Sequence, residues 1–275
     1  IMGLHYPLVD VADLVEPDNG PNLRTAISGA EGSSTTAFFL TLDPNAQPVT
    51  HRHNRCDEIT VCLEGTGQTT IGGVKRPLRA GHCMRVPAGL SHRFENTGTS
   101  PMKIVGFYIG APDLDTSGFE TVSDQESEEP IKGVSADETF LHWDDVLPET
   151  MNKDEGWLIN DFRLPFGAHN GSGTTLFRAQ FFPGAVHKKH SHTNCEEIYY
   201  IISGHGLAGA GVDRVEGTAG QFHYIPAGVE HWLHNLSDTD PIHVIGVYIG
   251  SGSVAETGYV FRGDVTLDDI ATRTP

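Results

Sequence analysis

The sequence predicts an all-β protein made of two tandem antiparallel barrels or sandwiches. Three observations carry that reading. Short β-branched or aromatic runs are bounded by Gly, Pro or Asn, turn signals recur at roughly 8–12 residues, and the second half of the chain repeats the first. No segment sustains a 3.6-residue apolar period, so helices are expected only as short pieces near Val9–Val15 and Trp143–Leu147.

In the first half the expected strands are Ala37–Leu42, Glu58–Leu63 and Ile104–Ile109. In the second they are Leu176–Phe182, Glu197–Ile202 and Ile242–Ile249. A shift of 139 residues brings His51 onto His190, His53 onto His192, Cys56 onto Cys195 and Glu58 onto Glu197. The same shift aligns Gly65, Gly81, Pro87, Gly89, His92 and Asn96 with Gly204, Gly220, Pro226, Gly228, His231 and Asn235. Beyond Asn235 the shift becomes 140, and Tyr108 and Gly118 fall on Tyr248 and Gly258. One register held over such a length marks a tandem duplication. The composition divides the chain into a first domain at 1–119, an acidic linker at 120–139 around Ser123–Pro130, and a second domain at 140–275.

The chain has 275 residues, 36 Asp and Glu against 18 Lys and Arg, and a formal charge of −18. It therefore lacks the basic face of a general nucleic-acid binder and the polybasic patch of a membrane anchor. Its longest apolar runs, Ile198–Ile202 and Ile242–Ile249, are too short to span a bilayer. Ile1–Leu8 shows no basic segment leading into an apolar one, so a cytoplasmic protein is expected. Four cysteines do not make a disulfide scaffold, and free thiols are expected. Fifteen histidines are the compositional outlier.

Six of these histidines, with two glutamates, form one repeated pattern. Residues i and i+2 of a strand face one side, so His51 and His53 point together. Glu58 opens the next strand, and the Pro87-Ala88-Gly89 turn returns His92 toward the same point. His190, His192, Glu197 and His231 repeat the arrangement at identical spacing. Three imidazoles and a carboxylate converging inside a barrel make a metal site.

Both halves resemble cupins at all of these ligand positions, and the resemblance covers nearly the whole chain outside the acidic stretch. It implies a bicupin, two tandem jelly-roll β-barrel domains, with one divalent transition metal per domain. Iron is the leading expectation, with Mn, Ni, Co, Cu or Zn allowed by the same ligands. The resemblance specifies the reaction poorly, because one fold hosts many chemistries. Cupin barrels often cover exposed sheet edges by pairing, sometimes through an exchanged N-terminal strand, which implies a homodimer.

The modules differ around their ligands. Arg52, Arg55 and Arg85 flank the first set, and Arg85 is expected to bind substrate as a carboxylate clamp. Tyr199, Tyr200 and Tyr224 flank the second. Strand parity turns Tyr199 inward with Glu197, so Tyr199 is expected to line the second cavity and that module to dominate turnover. His223 lies on the strand leading to Pro226, where the first module has Met84. The expected activity is a metal-dependent dioxygenase acting on a small enolizable or phenolic compound, with Glu58 and Glu197 as ligands and proton acceptors. The alternatives are a redox-neutral isomerase, lyase or decarboxylase of a sugar acid or keto acid, and a binding protein without turnover.

Overall fold

The structure is a computed structural model that describes residues 4–18, 21–46, 48–123 and 135–275. The acidic stretch read as a linker falls largely on 124–134, outside the described residues. Strand β1 (Leu8–Asp10) opens the chain. The first module follows with β2 (Asn22–Ile27), β3 (Thr36–Leu42), β4 (His51–His53), β5 (Asp57–Glu64), β6 (Thr66–Ile71) and β7 (Val74–Arg79). It continues through β8 (His82–Val86), β9 (His92–Asn96), β10 (Met102–Ile109), β11 (Phe119–Thr121) and β12 (Phe140–His142). The second module runs β13 (Trp157–Leu158), β14 (Asp161–Phe166), β15 (Thr175–Phe181), β16 (Val186–His192), β17 (Glu196–Ser203) and β18 (His205–Ala210). It ends with β19 (Asp213–Thr218), β20 (Gln221–Ile225), β21 (His231–His234), β22 (Ile242–Ile249) and β23 (Tyr259–Gly263). The six strands expected from sequence all form, within a residue or two of their expected ends. In place of the two expected helices stand single 3-10 turns, Val11–Asp13 and Trp143–Asp145.

Each module is a sandwich of two antiparallel sheets. In the first, the orders are β12-β8-β5-β10-β3-β2 and β11-β4-β9-β6-β7. In the second they are β1-β20-β17-β22-β15-β14 and β13-β16-β21-β18-β19, with β23 also on β16. Most sheet neighbours are strands that are not consecutive in sequence, which is the jelly-roll pattern. Alternate residues of β3, Phe38, Leu40 and Leu42, turn inward and meet Leu78 and Phe94 from the facing sheet. Phe177, Ala179 and Phe181 do the same in the second module. Each large apolar side chain buried this way contributes about 1.5–3 kcal/mol.

The chain divides into two compact units. One unit is Leu14–Asp145, and the other joins Ile1–Asp13 to Val146–Pro275. The cause is pairing. β1 docks on β20 with Leu8 opposite His223, and β12 docks on β8 with Phe140 opposite Met84. The N-terminal strand is thus placed on the second module of its own chain. All four cysteines are free and buried. Among the described residues no helix is long and apolar enough to cross a membrane.

Gly106 on β10 and Gly246 on β22 each let an aromatic ring lie across the strand. A Cβ at Gly106 would sit 2.1 Å from Phe38 Cζ, and one at Gly246 2.4 Å from Phe177 Cζ. Gly106→Ala should therefore destabilise the protein by about 1–3 kcal/mol through overpacking. The measurement is urea unfolding, read as a lower midpoint at unchanged slope. An unchanged midpoint would show that the ring moves freely aside.

Candidate metal centres

The two sheets of each sandwich supply different ligands. In the first module β5 brings Glu58 from one sheet, while β4 and β9 bring His51, His53 and His92 from the other. His51 pairs directly with His92 across the β4–β9 ladder. The second module repeats this with Glu197 on β17, His190 and His192 on β16, and His231 on β21, where His190 pairs with His231. In each set the ligand atoms all lie within 4.8 Å of one another. The eight residues expected as ligands are thus gathered into two clusters.

Hydrogen bonds on the far side of the rings fix which nitrogen faces inward. His51 Nδ1 donates to the Val49 carbonyl at 3.0 Å, and His190 Nδ1 to Lys188 at 2.6 Å. His231 Nδ1 donates to Val229 at 2.9 Å. The Ser117 hydroxyl donates to the Leu114 carbonyl at 2.5 Å, so it accepts from His53 Nδ1 at 2.8 Å. Each of these Nε2 atoms then carries its lone pair into the cluster.

Burial sets the protonation states. Burial, with His92 beside it, pushes His51 down to about 4. Burial, with His187 and His231 nearby, holds His190 well below the ordinary imidazole value. For Glu58, burial works upward, but His92 and His53 outweigh it and hold the carboxyl below its usual range. Glu197 is held low in the same way by His231 and His192. Neutral imidazoles and ionised carboxylates are the forms that bind a metal. His53 Nε2 and His192 Nε2 are buried without an aligned hydrogen-bond partner, although Glu58 Oε2 and Glu197 Oε2 stand 3.1 and 3.2 Å away. A proton on His92, 2.7 Å from Glu58 Oε2, would satisfy one pair only. A divalent cation at the common point satisfies every inward lone pair at once, so the residues fit a metal.

The surroundings of the two clusters diverge. His51 and Glu58 lie on the wall of a cavity of about 1030 Å³ in the first module. Its lining is mainly apolar, with Leu23, Phe38, Leu40, Leu42 and Phe94, and it contains no lysine or arginine among the described residues. Tyr108 also lines it. Its ring lies 4.5 Å from that of His53, and burial with Glu58 nearby keeps its hydroxyl protonated far above the usual range. In the second module the space beside His190, Glu197 and His231 is only about 30 Å³, room for about one or two waters.

The residues expected beside the ligands are placed unevenly. Tyr199 does turn inward with Glu197 and lines the small cavity, its hydroxyl donating to His223 Nδ1 at 2.8 Å. His223 in turn donates from Nε2 to the Tyr6 carbonyl at 3.0 Å, which ties it to the N-terminal segment. Arg85 does not reach the first cavity. It pairs across the sheet with Ile59, one residue out of step with Glu58, so its side chain leaves the opposite face. There Arg85 bonds Asp57 Oδ2 at 3.2 Å and the Glu138 carbonyl at 3.3 Å. Arg52 pairs with Glu120 at 2.9 Å, and Arg55 is exposed. Tyr200 pairs with Phe222 on the other face of β17, and Tyr224 donates to Glu196 at 2.7 Å. The cavity volumes oppose the expectation that the second module dominates turnover. Sequence reasoning passed over Tyr108, Trp157, His187 and Tyr259; only the shared position of Tyr108 and Tyr248 in the repeat pointed to any of them.

Elemental analysis of metal-replete protein should find about two metals per chain, one for each cluster. His190→Ala should lose one and keep the other. One metal or fewer in the unaltered protein would contradict the doubled site.

Comparison with known proteins agrees with this geometry. The sequence profile of the cupin domain matches residues 38–108 and again 177–248. Polyketide synthase CurC of Streptomyces cyaneus is 28% identical over 102 residues, covering 36% of this chain and 66% of that protein. Protein SchB of Streptomyces halstedii is 26% identical over 112 residues, covering 39% and 80%. Among solved structures, oxalate decarboxylase of Bacillus subtilis, a protein with Mn(II) centres, superposes with a TM-score of 0.71 at 14% identity, covering 92% of this chain and 78% of that one. Oxalate decarboxylase of Lactobacillus farciminis, solved with formate, gives 0.70 at 15% identity over 92% and 88%. With its family profile matched twice, and a ligand cluster between the sheets of each sandwich, this chain belongs to the cupin family as a tandem two-domain member.

Proposed function

We propose that this chain is a metal-dependent dioxygenase whose first module takes an enolizable or phenolic compound with an apolar body. One observation carries the reading: the first metal cluster lies on a large cavity with apolar walls, and the second does not. A divalent metal held by three neutral imidazoles and one carboxylate has a net charge near +1, which suits an anionic oxygen ligand. When bound, that metal supplies oxygen activation beside an electron-rich substrate.

The protein's own groups do the rest. Leu23, Leu40 and Phe94 exclude water and hold the apolar body. Glu58 is the carboxylate nearest the ligand position and takes the acidic proton as the enolate or phenolate forms. The Tyr108 hydroxyl is an uncharged donor for a second substrate oxygen, and no protein group among the described residues takes its hydrogen bond. Both atoms of O₂ enter the product, so no outside reductant is needed. The partial likeness to a polyketide synthase component supports this class, since polyketides are rich in β-dicarbonyl and phenolic groups.

The shared fold with oxalate decarboxylases favours a second reading, redox-neutral decarboxylation. A small dicarboxylate would find no cation on the described cavity wall to hold its second carboxylate, which favours the first reading.

Oxygen uptake by Fe(II)-loaded protein on a panel of β-diketones and phenols tests the proposal. Glu58→Ala should lower turnover by at least about 100-fold, while Glu197→Ala keeps most of it. Leu40→Trp, which fills the cavity, should raise KM by roughly tenfold or more at unchanged metal content. Turnover without oxygen uptake would move the assignment to the decarboxylase reading. Equal losses in the two Glu variants would sink the assignment to module one.

A further inference from the structure

The first and second clusters share their ligands and differ at their mouths. In the second module a short strap, Asn152–Leu158, packs along the ligand strand β16. Its last two residues form β13 and pair with β16, Trp157 opposite His187 and Leu158 opposite Val186. Lys188 N–H donates to the Gly156 carbonyl at 2.9 Å and closes the preceding turn. The Trp157 ring stacks on His187 at 4.0 Å, and His187 stacks on the ligand His190 at 3.6 Å and 19°. Tyr259 lies 4.9 Å from Trp157, and its hydroxyl donates to the Glu155 carbonyl at 2.6 Å. Trp157 is 3% exposed and His187 8%.

The described residues of the first module differ at these positions. Pro48 stands where His187 would be, a residue with neither a flat polar ring nor an N–H for the ladder. Phe119 replaces Tyr259, lacks its hydroxyl and is 43% exposed. No strand equivalent to β13 precedes β2 among the described residues. The outcome is the contrast between about 1030 and about 30 Å³.

We infer that the Trp157–His187–Tyr259 stack seals the second metal centre, so that it admits only water-sized ligands and no organic substrate. Structural metal sites are closed and catalytic ones keep an open position, and the seal gives the second module the first character. The inference rests on the reading that both clusters hold metal. It makes the strap the element that decides which module sees substrate.

The probe is 4-nitrocatechol, a flat phenolate chelator whose visible absorption shifts when it binds a metal. Protein is loaded with Co(II), its metal content is measured before and after titration, and bound nitrocatechol is counted from the spectrum. The unaltered protein should hold two metals and bind one nitrocatechol per chain. A His51→Ala/His53→Ala variant, which keeps only the second metal, should bind none. Adding Trp157→Ala to that variant should restore binding of one. Tyr259→Phe gives a check that leaves the core packed, since it removes only the hydroxyl tied to Glu155. It should speed loss of the second metal to an external chelator by about tenfold or more. Nitrocatechol bound by the strap-intact variant overturns the seal, and so does an opened variant that folds and still binds none. Protein that takes up no metal overturns the metal reading itself, which the elemental analysis tells apart.

Discussion

Everything in each module is arranged around one buried carboxylate. Glu58 and Glu197 lie at 3% and 7% exposure between two facing sheets, where an unpaired anion is costly. Three imidazoles from the opposite sheet meet each of them, and every ring whose outer nitrogen bonds a backbone carbonyl or a hydroxyl offers a lone pair inward. Four electron-rich groups within 4.8 Å are a poor arrangement by themselves and a good one around a cation. Metal affinity and the packing of the two sheets are therefore linked, because the ligands come from both.

Duplication kept that arrangement and changed what surrounds it. The ladder that places His51 opposite His92 is the same one that places His190 opposite His231. Divergence collected at the rim and along the inward face. Where the first module has Thr60 and Met84, the second has Tyr199 and His223, which bond to each other and then to Tyr6. Where the first module has Pro48, the second has His187, paired with Trp157 of the strap. One copy keeps room for a ligand and the other fills the same volume with aromatic side chains. A fold that fixes its ligands on rigid strands can change function at its loops and rims without disturbing the site.

Charge follows the same logic. Two of the three arginines that flank the first ligand set in sequence pair with neighbouring acids, Arg52 with Glu120 and Arg85 with Asp57. What remains on the cavity wall is apolar, and affinity there depends on shape and on the metal rather than on ion pairing. The N-terminal segment shows how far such ties can reach. His5 and Tyr6 donate their backbone N–H groups to Asp213 at 2.7 Å each, and β1 then completes a sheet of the second module.

The sequence by itself determined the repeat, the strands and the metal ligands. These rest on short-range rules: side chains alternate along a strand, turns need Gly and Pro, and one register held over a whole module exposes whatever both copies need. Parity also placed Tyr199 correctly, because its strand runs without interruption from Glu197. The same parity was available for Arg85, but it requires knowing that Arg85 faces Ile59 rather than Glu58, which is a fact of pairing. His187 shows the limit most clearly. Three residues before His190, it belongs on the opposite face of a regular strand, yet a register shift between the two stacks their rings at 3.6 Å. The sheets that β1 and β12 join were hidden for a related reason, since composition marks where a segment turns and not which sheet it joins. Cavity volume, the seal over the second centre and the partners of β1 and β12 were decided only by the tertiary structure, because each depends on contacts between residues far apart in the chain.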